Sequence, residues 1–192
     1  MNLVYRGGVR IGDMFRLLLV LIAAARMAES FQGDNRTDTY AIYSLLFTNT
    51  QTSHGADNNL IYLITDTTVD GMPAEPCVNP PPDRQSRFAE VLADFAARRN
   101  EHTRLVRELN ITKPYRYMSA EAARNPSIKR EATDVFSVAN VYFDRQHTIA
   151  LTYLASVCGG LCGKFTWRVF ERNKDGQWES RNWVSCFGMA SR

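Results

Sequence analysis

Histidine is scarce in this chain: 192 residues hold three, His54, His102 and His147. None stands at H-x-H or H-E-x-x-H spacing, so the sequence presents no ready zinc or metalloprotease site. A G-x-S-x-G elbow, a P-loop and a G-x-G-x-x-G turn are also missing, which removes the readable forms of serine hydrolase, nucleotide triphosphatase and dinucleotide-dependent chemistry. No metal and no cofactor is expected, and no catalytic residue is assigned. No Lys/Arg run with interleaved aromatics occurs. The formal charge is +3, but residues 1–28 carry Arg6, Arg10, Arg16 and Arg26 against Asp13 alone, and this accounts for the whole surplus. A neutral remainder gives no electrostatic ground for a nucleic-acid partner.

Long hydrophobic runs are missing too. The longest, 17–25, is Leu-Leu-Leu-Val-Leu-Ile-Ala-Ala-Ala. It falls well short of the roughly 20 residues a bilayer-spanning helix needs. Arginines precede it and small residues close it, the layout of a secretory signal peptide. Residues 1–28 are therefore expected to be a leader, and a start at Met14 would leave a compact basic n-region. The rest, 29–192, reads as a single α+β domain, exported to the periplasm or outside the cell, or tethered there if the leader is retained. No membrane span is expected beyond the leader. Hydrophobic residues at 45% and charged residues at 22% fit a globular body.

Four cysteines remain, Cys77, Cys158, Cys162 and Cys186. An even number in an exported chain reads as disulfides. Four cysteines allow three pairings, among which the sequence does not choose; the favoured one joins Cys158 and Cys162 across Gly159-Gly160-Leu161, which can turn tightly, and leaves Cys77 for Cys186. A loop that long would stabilise by roughly 4–5 kcal/mol in the chain-entropy model. Thiol redox chemistry favours C-x-x-C, and this spacing is longer. A four-cysteine zinc site needs two close pairs, and only one is present.

Elements follow from pattern. Residues 40–47 suit a short helix or strand. Residues 60–65, Leu-Ile-Tyr-Leu-Ile-Thr, read as a buried strand. After the prolines at 80–82, Asp83 suits an N-cap. Phe88, Leu92, Phe95, His102, Val106 and Leu109 then recur at helical spacing, so one long amphipathic helix is expected over about 84–108. Ser119 suits the cap of a second, short helix, 120–124. From 134 to 187, alternating strands and turns, among them Asn173-Lys174-Asp175-Gly176, predict a four-stranded antiparallel β-meander packed on the long helix.

The C-terminal third resembles an uncharacterised family of bacterial proteins predicted to be exported. The likeness rests on Val141-Tyr142-Phe143-Asp144-Arg145, Ala150-Leu151-Thr152-Tyr153, Cys158-Gly159-Gly160-Leu161-Cys162-Gly163 and Asp175-Gly176-Gln177-Trp178, with weaker support from 109–115. It implies export and a fold, and it supplies no catalytic residue.

The remaining candidates each have a plainer alternative. His102 is expected on the apolar face of the long helix, as a core histidine. Glu90 and Asp94, four apart, could share a proton in a cleft or lie solvated on an outer face. Asp66 and Asp70 follow the 60–65 strand, where site residues collect, but turns and caps also need such residues. Trp167, Trp178 and Trp183 could line a groove or fill the core. His147 sits in a turn, and Asn35 and Asn110 open N-x-[ST] sequons. The leading expectation is a non-catalytic binding or interaction domain. The alternatives are an envelope enzyme built on His102 with Asp66 or Glu90, and a thiol redox protein using Cys158 and Cys162.

Overall fold

The computed structural model describes residues 36–50, 61–70, 76–106, 108–123, 135–157, 163–185 and 188–190. The chain divides into two compact units, Met1–Thr39 and Tyr40–Arg192. The described part of the first, 36–39, is helical; the leader and Met14 lie outside the described residues. The second unit contains the sheet.

The fold is mixed α and β. Helix α1 covers 36–48. From Tyr40 on it carries Ile42, Tyr43, Leu46 and Phe47 on one stripe, all buried. The i, i+4 pairs 42/46 and 43/47 make that stripe helical. Strand β1 is Tyr62–Thr65. A 3-10 turn at Pro82–Arg84 leads into α2, Gln85–Arg98. Strand β2 is Tyr115–Met118 and α3 is Ala120–Ala123. Ser119 caps α3, its Oγ accepting from the Ala122 N–H at 3.1 Å. Strands β3 (Val135–Val138), β4 (Tyr142–Phe143), β5 (Ile149–Val157), β6 (Gly163–Arg172), β7 (Trp178–Arg181) and β8 (Gly188–Ala190) complete the order.

All eight strands share one sheet, ordered β2-β1-β3-β5-β6-β7, with β4 on β5 and β8 on β6. Its first three strands run parallel, Leu63 opposite Arg116 on one side and Val135 on the other. The remainder is antiparallel, with Ile149 opposite Glu171 in β5–β6 and Arg172 opposite Trp178 in β6–β7. The sheet is thus larger than the four-stranded meander and additional 60–65 strand expected, and β1 and β2 extend it with parallel pairs. The side-chain period of two sends alternate residues to opposite faces. Tyr62, Ile64, Phe136, Ala150 and Phe170 pack with α1, while Tyr142, Leu151, Trp167 and Val169 pack with Phe88, Val91 and Phe95 of α2.

The helix expected over 84–108 stops at Arg98. Asp83 bonds Arg84 rather than capping the helix. Beyond Arg98 the chain turns extended: Thr67 and Arg104 form an antiparallel bridge, and the Leu105 N–H donates to the Asp66 carbonyl at 2.8 Å. Leu105 and Leu109 are buried, but in the cluster beneath α1. Their four-residue spacing mimics a helix that tertiary packing does not allow. Val106 is 71% exposed.

At the start of the stretch expected to form the meander, a bulge separates β3 from β4. Val138 faces Leu154 but Tyr142 faces Leu151. Four steps on one strand thus match three on the other, so one residue is inserted between them. The insertion reverses the facing pattern and puts Tyr142 on the α2 side.

Candidate functional site

Two places in the described structure collect polar groups: the carboxyl ends of β1 and β3, and a groove beside β2.

At the first, the chain leaves β1 toward β2 on one side and β3 toward β5 on the other, the arrangement that opens crevices beyond strand ends in α/β sheets. The segment 66–70 meets 101–105 and the bulge there. Buried Thr68 ties them together. Its Oγ1 donates to Asn140 Oδ1 at 3.1 Å and accepts from the Thr103 N–H at 2.8 Å. Asn140 Nδ2 donates to the Glu101 carbonyl at 2.8 Å. His102 places Nδ1 3.0 Å from the Thr68 carbonyl and Nε2 3.5 Å from Asp70. A carbonyl only accepts, so Nδ1 carries the proton. His102 and Asp70 are each more than half exposed. His102 is thus neither on a helix nor in the core, and its carboxylate is Asp70 rather than Asp66 or Glu90.

Those other carboxylates have different partners. Asp66 accepts from the Thr67 hydroxyl. Glu90 accepts from the Arg145 N–H at 3.1 Å. Asp94 takes two bonds from Arg98, both 2.6 Å, and one from the Phe143 N–H at 2.9 Å. Arg98 in turn donates to the Val141 carbonyl at 2.9 Å and stands 5.4 Å from the Tyr142 ring centroid. Tyr142 is fully buried, and its hydroxyl has no hydrogen-bond partner among the described residues. Burial pushes that phenol up to about 12; Arg98 opposes the rise, and Asp94, Asp70 and Glu101 add to it.

The second place is a groove with a cavity volume of about 550 Å³, within the range of small-ligand pockets. Its lining includes Glu108, Leu109, Ile111, Lys113, Tyr115 and Arg116. The sequence explains the wall. Pro114 ends the irregular stretch, and Tyr115-Arg116-Tyr117-Met118 then alternates along β2. Tyr115 and Tyr117 stand edge to face with centroids 5.4 Å apart. The Leu109 N–H donates to the Tyr115 hydroxyl at 2.6 Å, and the Asn110 N–H donates to Ser44 Oγ at 2.9 Å. These bonds hold Leu109 and Asn110 against β2 and α1. Lys113 Nζ lies 5.1 Å from the Tyr62 ring centroid. Burial, then Tyr115 and Tyr40, push the Tyr117 phenol above its ordinary value, keeping it neutral.

Two features of the groove concern recognition. Arg116 and Glu108 line it together, and neither makes an ion pair among the described residues. The Tyr62 N–H donates to the Pro114 carbonyl at 2.9 Å, and the Asp66 N–H to the Met118 carbonyl at 2.7 Å. Main-chain groups alternate along a strand. Pro114, Arg116 and Met118 therefore turn theirs toward β1, and Tyr115 turns its N–H and C=O outward along the edge.

The other sequence candidates have structural places. Trp167 and Trp178 are core residues on opposite faces. Trp183 is half-buried, edge-on to Phe88. His147 stacks on Phe143 at 4.6 Å. Cys77 is disulfide-bonded, and its carbonyl accepts from the Ser185 N–H at 2.9 Å. Cys158, Cys162, Cys186, His54 and Asn35 lie outside the described residues; Asn110 is exposed. Among the described residues no three His, Cys, Asp or Glu side chains are grouped to hold a metal ion, and no helix is long and apolar enough to cross a membrane.

Protein-family models, curated proteins and solved structures provide no match to this chain.

Proposed function

We propose that this chain is an exported binding domain and that the groove beside β2 is its contact surface. The observation that carries the reading is the joint lining of one cavity by tyrosines, aliphatic side chains and two opposite charges, Arg116 and Glu108, that make no ion pair among the described residues. Polar groups converging on a wall that also carries aromatic and aliphatic side chains are what fix a ligand's orientation. Export is supported by the leader pattern at 17–25 and by the bonded sulfur of Cys77, since disulfides persist outside the reducing cytosol. The 77–79 segment pairs with 183–185 through Val78 and Val184 and through the Asn79 N–H to the Trp183 carbonyl. The reading keeps the sequence expectation that Cys77 pairs with Cys186 and Cys158 with Cys162. The resemblance to exported bacterial proteins accords with this.

Thermal-shift screening of the secreted protein tests the reading. The binding domain gains thermal stability with at least one small-molecule class, and Arg116→Met removes that gain. A screen in which nothing stabilises the wild type more than the variant refutes the assignment.

A second reading, an envelope enzyme, draws on the exposed His102 beside Asp70. Its weakness is that the Nδ1 proton is committed to the Thr68 carbonyl, and Nε2 stands 3.5 Å from the Asp70 carboxylate, a pair that forms only when the ring is protonated. Hydrolysis of ester, phosphate or glycoside substrates that disappears in His102→Ala would favour this reading over the first.

A further inference from the structure

The groove's charges indicate what it holds. Arg116 and Glu108 face one cavity and are not spent on each other. A ligand of one charge would satisfy one of them and meet the other unfavourably. A ligand with a carboxylate at one end and an ammonium at the other satisfies both. The same lining includes the apolar and aromatic side chains of Leu109, Ile111 and Tyr115. Along the same wall Tyr115 directs a main-chain donor and acceptor outward, because its neighbours in β2 turn theirs to β1. Those are the groups with which an extended peptide adds to a sheet edge. The size points the same way, since about 550 Å³ is the scale of a drug-sized molecule rather than of a small ion.

We propose that the groove binds short zwitterionic peptides, with the C-terminal carboxylate on the Arg116 guanidinium, the N-terminal ammonium on Glu108, and the peptide main chain paired with Tyr115. Arg116 suits the role because its planar fork can engage a carboxylate through two parallel N–H donors. Lys113, held over Tyr62, is a further cation on the same lining. This inference rests on the groove being the binding surface.

The test is calorimetric titration of the full secreted chain with trialanine, its C-terminal amide and its N-acetyl derivative. Both charged residues are exposed, so each contact is worth at most about fivefold in affinity. Trialanine binds; amidation and acetylation each weaken it by up to that factor. Arg116→Met erases the difference between acid and amide, and Glu108→Gln erases the difference between free and acetylated amine. Both variants retain the wild-type circular dichroism. Equal affinity for all three peptides, or differences that survive the substitutions, overturns the proposal. If no peptide binds but another class stabilises the protein in an Arg116-dependent way, the peptide assignment fails and the binding domain stands. If no class does, both fail.

Discussion

Two buried tyrosines should respond in opposite directions to the loss of one oxygen. The Tyr43 hydroxyl donates to the Ala139 carbonyl at 2.8 Å. The Tyr142 hydroxyl has no partner among the described residues, although the residue is fully buried. An unsatisfied buried hydroxyl costs about 1–3 kcal/mol, while a made hydrogen bond contributes about 1 kcal/mol net. Tyr142→Phe keeps the ring, its edge-to-face contact with Phe95 at 5.1 Å and its place beneath Arg98. It should therefore stabilise the fold by about 1–2 kcal/mol, a rise in Tm of roughly 3–6 °C for a domain of this size. Tyr43→Phe keeps its ring as well but loses the bond. It should destabilise by about 1 kcal/mol, softened because the Thr152 hydroxyl also donates to the Ala139 carbonyl, at 3.2 Å. Urea unfolding followed by tryptophan fluorescence reads both. If Tyr142→Phe destabilises as much as Tyr43→Phe, the reasoning about the orphan hydroxyl is refuted.

Three other substitutions have expected outcomes. Asp94→Ala removes both Arg98 bonds and the acceptor of the Phe143 N–H, and should cost about 1–2 kcal/mol in urea unfolding, moderated by partial exposure. Burial pushes the Glu171 carboxyl up, but hydrogen bonds from Arg84 and Arg181 outweigh it and lower the pKa. Its stabilisation is therefore present above the ordinary glutamate value of 4.5 and is lost as the pH falls through the folded value. Stability measured against pH should fall more steeply on the acid side in the wild type than in Glu171→Gln. Gly176 has φ +77°, and a methyl added there would meet nothing nearer than Arg172 Nη1 at 3.8 Å; Gly176→Ala should cost about 1 kcal/mol from backbone strain alone, read as a small drop in Tm.

The α and β character and the separate elements were legible where local chemistry and packing agree. Residues 60–65 read as a strand because β-branched and aromatic side chains fill a buried position, and Asn173 to Gly176 read as a turn because Asn173 Oδ1 accepts from the 175 and 177 N–H groups. The helix was overextended because Leu105 and Leu109 keep helical spacing while serving the opposite face of the sheet. Strand β2 is four residues behind a proline, too short for alternation to stand out. The bulge that turns Tyr142 toward α2 depends on the pairing register with β5 and leaves no local mark. At the candidate sites, His102 and Asp70 were each visible, but their pairing depends on the helix ending at Arg98. The groove was missed because Glu108 and Arg116 look like ordinary solvated charges until β2 and the 106–111 segment are brought together.

The most direct measurement is amide chemical-shift mapping of the full-length protein against a panel of small polar fragments. Perturbations concentrated at 106–117 are what a binding surface beside β2 produces. Perturbations centred on 68–70 and 101–103, around His102, with the groove silent, would contradict it.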